Sequence, residues 1–152
     1  MDGQWDLTNG ALNIKGKVPG DLITDLYNTG KVLDPIHNNN WLNSFIWNNM
    51  SWTYSLTFDS PNIMRKLPSP PPPKISAFDF LLYLNSAQTK ETLLVFDGVK
   101  MGAIASLNQV TLGIFTDQFL RYYFPVQKLL KKTGNVLTVT FPQAPGPDVQ
   151  GR

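Results

Sequence analysis

The side chains able to do acid–base, nucleophilic or metal chemistry are few and scattered. His37 is the one histidine, Glu91 the one glutamate, and cysteine is absent. Without cysteine there is no disulfide framework and no thiolate metal site. A single histidine leaves no pair to hold a metal and no spare member for a histidine-based triad. The other carboxylates run along the whole chain: Asp2, Asp6, Asp21, Asp25, Asp34, Asp59, Asp79, Asp97, Asp117 and Asp148. Glycoside hydrolysis needs two carboxyl groups roughly 5–9.5 Å apart, one of them with a raised pKa. Spacing along the chain pairs no two of these. Gly98 and Gly102 do not open a helix, and no Gly-x-x-x-x-Gly-Lys-Ser/Thr occurs, so neither a dinucleotide fingerprint nor a phosphate-cradling loop is expected. The expectation is no catalytic residue, no metal and no cofactor in this chain.

Binding chemistry is better represented. Asp34-Pro35-Ile36-His37-Asn38-Asn39-Asn40-Trp41 is a polar, turn-rich run ending in an aromatic. As a sugar-facing loop, Asp34, His37 and Asn40 would bond hydroxyls and Trp41 would stack on a ring face; Trp47 is a further candidate platform. As a solvated loop, its asparagines would serve left-handed backbone positions. Trp5 and Trp52 sit on alternating strand faces and belong in a core. Lys128, Lys131 and Lys132 are expected at a solvated turn. Asn49-Met50-Ser51 is a glycosylation sequon only in a secreted chain.

The elements that would position these residues are short strands. Gln4 to Thr8 alternates polar and apolar. Trp52 to Phe58 places Trp52, Tyr54, Leu56 and Phe58 on one face and Thr53, Ser55 and Thr57 on the other. Thr92 to Phe96 is a continuous apolar run before Asp97-Gly98, which predicts a strand buried on both sides. Ala103–Leu107 and Val110–Leu112 flank Asn108-Gln109 and predict a hairpin with a two-residue turn. Arg121–Phe124 and Asn135–Phe141 complete the set. Asp21 to Asn28, capped by Asp21 and followed by Gly30, reads as a short helix, and Gln127 to Lys132 as one basic turn. The pattern predicts an all-β antiparallel sandwich with one or two short helices. Its expected core includes Trp5, Trp52, Tyr54, Phe58, Phe96 and Phe141.

The chain has 152 residues, long enough to bury a core without staples, and it is 42% hydrophobic. A net charge of +2 is too small to point to nucleic acid or an anionic membrane. No apolar window approaches a membrane span, and the N-terminus lacks the basic and apolar regions of a signal peptide, so neither is expected. Six of the 12 prolines fall between Pro61 and Pro73, ending in Pro70-Pro71-Pro72-Pro73. This run cannot form a central strand. Residues 59–90 therefore read as a Pro-rich insertion into a domain spanning 1–141. Within it Ala77–Leu84 is apolar enough to add a strand or helix. Residues 142–152 read as a disordered tail.

Several segments, in order, resemble the N-terminal domain of β-mannosidases of glycoside hydrolase family 2. Asp2-Gly3-Gln4-Trp5-Asp6-Leu7-Thr8-Asn9 looks like that family's first strand. Val18-Pro19-Gly20-Asp21, Leu26 to Gly30 and Leu33-Asp34-Pro35 follow its next stretch. Trp52 to Phe58 resembles its Trp-Thr-Tyr-Ser strand. Phe96-Asp97-Gly98-Val99, Leu107-Asn108, Gly113, Thr116-Asp117, Phe119, Arg121-Tyr122 and Asn135–Phe141 continue the series. The resemblance implies a galactose-binding-like jelly roll packed on an Ig-like domain and a catalytic (β/α)8 barrel. The whole enzyme would act on mannose-containing oligosaccharides, removing terminal β-mannose with glutamates carried on the barrel. The chain departs from the family at residues 59–90, at the tail, and at Ile46, where the family has Arg. These features fit a fragment, or a gene model with an unspliced insert and an early end. Family members are lysosomal, secreted or cytoplasmic, which leaves the compartment open.

Overall fold

A computed structural model describes residues 1–42, 50–60 and 92–143. In chain order the elements are β1 (Gly3–Thr8), β2 (Asn13–Val18), α1 (Leu22–Asn28), β3 (Trp52–Phe58), β4 (Leu93–Phe96), β5 (Ile104–Leu107), β6 (Val110–Ile114), β7 (Tyr122–Pro125) and β8 (Asn135–Phe141). Six strands form one antiparallel sheet in the order β2-β1-β3-β8-β5-β6; β4 and β7 form a second, two-stranded sheet. The expected antiparallel β-sandwich is what the chain adopts.

The centre of the large sheet is the β3–β8 pair, in register from Trp52↔Phe141 to Phe58↔Asn135. Alternation sends Trp52 and Tyr54 inward, 3% and 8% exposed, with Tyr54 opposite Val139 and Leu56 opposite Leu137. The hydroxyl residues face out, where Thr53 Oγ1 and Thr140 Oγ1 lie 3.0 Å apart. Trp5 and Leu7 on β1 are buried in the same core. Phe58, Phe96 and Phe141 are partly buried and pack against it.

The hairpin β5–β6 turns at Asn108 and Gln109, with φ of 51° and 71°. Two consecutive left-handed residues give the turn whose twist matches the flanking strands. The two sheets meet through aromatics. Phe115 is fully buried, and the rings of Phe96, Tyr122 and Phe124 stand edge-on to it at 5.0, 5.0 and 6.2 Å.

Two details differ from the sequence reading. The strand β2 was not anticipated, because Asn-Ile-Lys-Gly-Lys-Val carries a glycine at its centre. That glycine is imposed from elsewhere: a Cβ on Gly16 would lie 2.6 Å from the Tyr54 ring and 2.9 Å from the Asp25 carboxylate. The apolar run before Asp97 is not buried on both sides. Leu94 and Phe96 turn inward, whereas Leu93 and Val95 are 46% and 43% exposed, because β4 packs on the large sheet by one face only. The stretch after Val126 is the turn expected there, with Leu129 N and Leu130 N both donating to Val126 O. The Pro-rich run, Ala77–Leu84, and the tail from residue 144 lie outside the described residues.

One buried polar residue ties the loops at one end. Asn135 has no exposed surface. Its Oδ1 accepts from Lys131 N (2.8 Å) and Asn108 Nδ2 (3.0 Å), and its Nδ2 donates to Lys131 O (2.8 Å). One amide thus joins the β5–β6 turn to the approach of β8.

Candidate carbohydrate-facing site

The loop that carries Asp34, His37, Asn40 and Trp41 is placed by α1. Asp21 caps this helix, accepting from Thr24 N at 2.9 Å and from Thr24 Oγ1 at 2.7 Å. At the other end Gly30 takes a φ of 67°, and Lys31 N donates to Leu26 O at 2.8 Å. The inner side of α1 is held by Asp25, only 4% exposed. Its Oδ1 accepts from Lys17 N at 2.9 Å and its Oδ2 accepts from the Tyr54 hydroxyl at 2.8 Å. Burial, then the Asp25 bond, push the Tyr54 pKa upward. One carboxylate therefore fastens α1 to β2 and β3 at once. Sequence reasoning saw Asp25 only as a helical residue. Its partners are distant in the chain, and the sole local signal was an aspartate on the apolar side of a short helix.

Beyond Gly30 the loop organises itself around Asp34. Asp34 Oδ1 accepts from Ile36 N at 2.9 Å; Asp34 O accepts from His37 N at 3.2 Å and from Asn40 Nδ2 at 2.8 Å. Asn38 has φ 52°, the left-handed conformation asparagine tolerates. The structure thus brings Asp34, His37, Asn40 and Trp41 into one small loop. Asp34 and His37 are exposed, Asn40 is half-buried, and Trp41 is 49% exposed. Trp47 lies outside the described residues. The amide of Asn40 and two oxygens of Asp34, Oδ1 and the backbone carbonyl, hold the loop's shape. The His37 ring and half of the Trp41 side chain face outward, a combination suited to hydrogen-bonding hydroxyls beside an apolar surface. Among the described residues no group of three or more His, Cys, Asp or Glu could hold a metal ion. No described helix is long and apolar enough to cross a membrane.

Comparison with known proteins places the fold. The family described as glycosyl hydrolase 2 galactose-binding domain-like matches residues 78–150. A β-mannosidase from Rattus norvegicus is 30% identical over 147 residues, covering 95% of this chain and 14% of that protein. The chain matches the N-terminal, galactose-binding-like domain of glycoside hydrolase family 2 β-mannosidases. The Mus musculus β-mannosidase gives 28% identity over 139 residues, 90% of this chain and 13% of its own length. Among solved structures, the β-D-mannosidase of Dictyoglomus thermophilum superposes with a TM-score of 0.73 at 23% identity, over 94% of this chain and 15% of the other. An exo-chitosanase from Amycolatopsis orientalis gives 0.63 at 14% identity, over 97% and 17%. At these identities the superpositions speak for the fold, a galactose-binding-like β-sandwich. The chain spans about one seventh of the length of the β-mannosidases it matches. The family match begins inside the segment read as an insertion and runs through the segment read as a tail.

Proposed function

We propose that the chain is the non-catalytic N-terminal domain of a β-mannosidase-like exo-glycosidase. The full polypeptide would remove terminal β-mannose from oligosaccharides, using acid/base and nucleophile carboxylates on a downstream (β/α)8 barrel, with an Ig-like domain between. The observation that carries this reading is the coverage: 95% of this chain aligns with 14% of a β-mannosidase. The scarcity of glutamate supports it, since the enzymes that the chain resembles use two glutamates and this chain has one. In this role the domain is a frame that presents Asp34, His37, Asn40 and Trp41 toward a mannose-containing oligosaccharide.

Reading the coding sequence past residue 152 tests the proposal. A continuing frame that encodes a barrel with two glutamate motifs supports it. A frame that stops, from a chain that binds oligosaccharide unaided, favours a second reading, a free-standing carbohydrate-binding module. The exposed Trp41 in a self-organised loop is the observation on that side.

A further inference from the structure

The turn that joins β1 to β2 carries Asn9-Gly10, the one Asn-Gly pair in the sequence. A backbone nitrogen that follows asparagine can add to the side-chain amide carbon, and glycine obstructs that approach least because it has no Cβ. Here the turn arranges both reacting groups. Asn9 Oδ1 accepts from Ala11 N at 3.1 Å and from Leu12 N at 2.7 Å. Two N–H groups on one carbonyl oxygen polarise its carbon and stand where negative charge gathers when a nucleophile adds. Gly10 N donates to Thr8 Oγ1 at 3.0 Å, an acceptor in line for the proton that this nitrogen must lose. Asn9 Nδ2, the leaving group, donates to Met50 Sδ at 3.2 Å, and a thioether is a weak acceptor. Gly10 is exposed to solvent at a φ of 90°.

Asn108 marks the contrast. It also turns a hairpin at positive φ, but its Nδ2 donates to Leu129 O at 2.7 Å and to Asn135 Oδ1 at 3.0 Å, and Gln109 follows it. Its leaving group is held twice by oxygen, and the nitrogen beside it belongs to a residue with a side chain. We propose that Asn9-Gly10 is a self-modification site, where the folded turn drives the asparagine through a cyclic imide to aspartate and isoaspartate. The bond from Gly10 N to Asn9 Cγ forms and the Cγ–Nδ2 bond breaks. The Gly10 amide proton passes by way of Thr8 Oγ1 and solvent to Nδ2, which departs as ammonia. Water is the co-reactant that opens the ring. Its attack at Cγ leaves aspartate at position 9, which keeps an oxygen for Ala11 N and Leu12 N. Its attack at the Asn9 backbone carbonyl leaves isoaspartate, with an extra methylene in the main chain beside the Thr8↔Asn13 pair. That product loosens β2, the edge strand of the large sheet.

The test incubates the purified 152-residue chain in heavy-oxygen water at mildly alkaline pH, folded and in urea, and maps its peptides by mass. Asn9 is expected to convert before any other asparagine, with ammonia released and heavy oxygen in both acidic products. Conversion is expected to be faster in the folded chain than in urea. Gly10→Ala strains a left-handed position, so the decisive variant is Thr8→Val, which keeps the shape of the strand residue and removes the acceptor. Folded Thr8→Val should convert about ten-fold more slowly than wild type, as loss of a proton acceptor predicts, and at the wild-type rate in urea. The assignment is overturned if another asparagine converts first, if urea accelerates the conversion of Asn9, or if folded Thr8→Val keeps the wild-type rate.

Discussion

Asp25 and Asp34 sit nine residues apart and have opposite fates. Asp25 is buried and bonds across three elements, to Lys17 N and to the Tyr54 hydroxyl. Asp34 is exposed and bonds only within its own loop, to Ile36 N. The same carboxylate is a fastener where water is excluded and a local turn-former where it is not, because a buried charge must be fully partnered while an exposed one need not be. The contrast separates a carboxylate that ties three elements together from one that shapes a single exposed loop.

The comparison can be broken first at the frame. Trp52→Ala removes a buried aromatic beside Tyr54 and should cost about 3–5 kcal/mol, a large part of a domain's stability. A denaturant titration that matched wild type would put Trp52 outside the core. Asp25→Ala strands the buried Tyr54 hydroxyl and removes the acceptor of Lys17 N, and an unsatisfied buried group costs roughly 1–3 kcal/mol. Urea midpoints for Asp25→Ala and Asp34→Ala should therefore differ widely, and equal losses would erase the distinction.

Alkali sharpens the same contrast. The phenol of Tyr54 is held above its ordinary pKa of 10.0 by burial first and the Asp25 bond second. The unfolded phenol ionises near pH 10 while the folded one keeps its proton. Its contribution is therefore whole below pH 10 and is lost as the pH rises past that value. Between about pH 9 and pH 11, wild type should lose more stability than Tyr54→Phe; parallel curves would contradict the buried hydrogen bond. The smallest effect is expected in the loop. Asp34→Ala should lower stability by less than about 1 kcal/mol, since a local turn bond in solvent is worth little. Its consequence should appear in sugar binding by the full-length polypeptide instead.

Much of the frame is legible in the chain because its signals are local. Alternation marks β3 and β8, Asn108-Gln109 marks the hairpin turn, and Asp21 and Gly30 bracket α1. What sequence could not show depends on distant partners. Gly16 looks like a strand breaker until the Tyr54 ring is seen lying over it. Leu93 and Val95 look like core until the ribbon is found to use one face only. Asp25 shows locally only as an aspartate on the apolar side of a short helix, because its partner Tyr54 is 29 residues away. In the candidate site, the turn chemistry of Asp34 and the asparagines was readable, and so was the presence of Trp41 at its end. Which oxygen of Asp34 would be consumed by the loop itself was not, since that depends on the path the backbone takes.

On the proposed function this chain is frame, and the hydrolytic carboxylates lie on a downstream barrel. The direct measurement is to incubate the purified 152-residue chain with an aryl β-mannoside and follow release of the aryl group. The account expects no turnover above a heat-treated control, at any pH where the chain is folded. Reproducible turnover that disappears on heating would contradict it, and would place a working carboxylate pair within these residues.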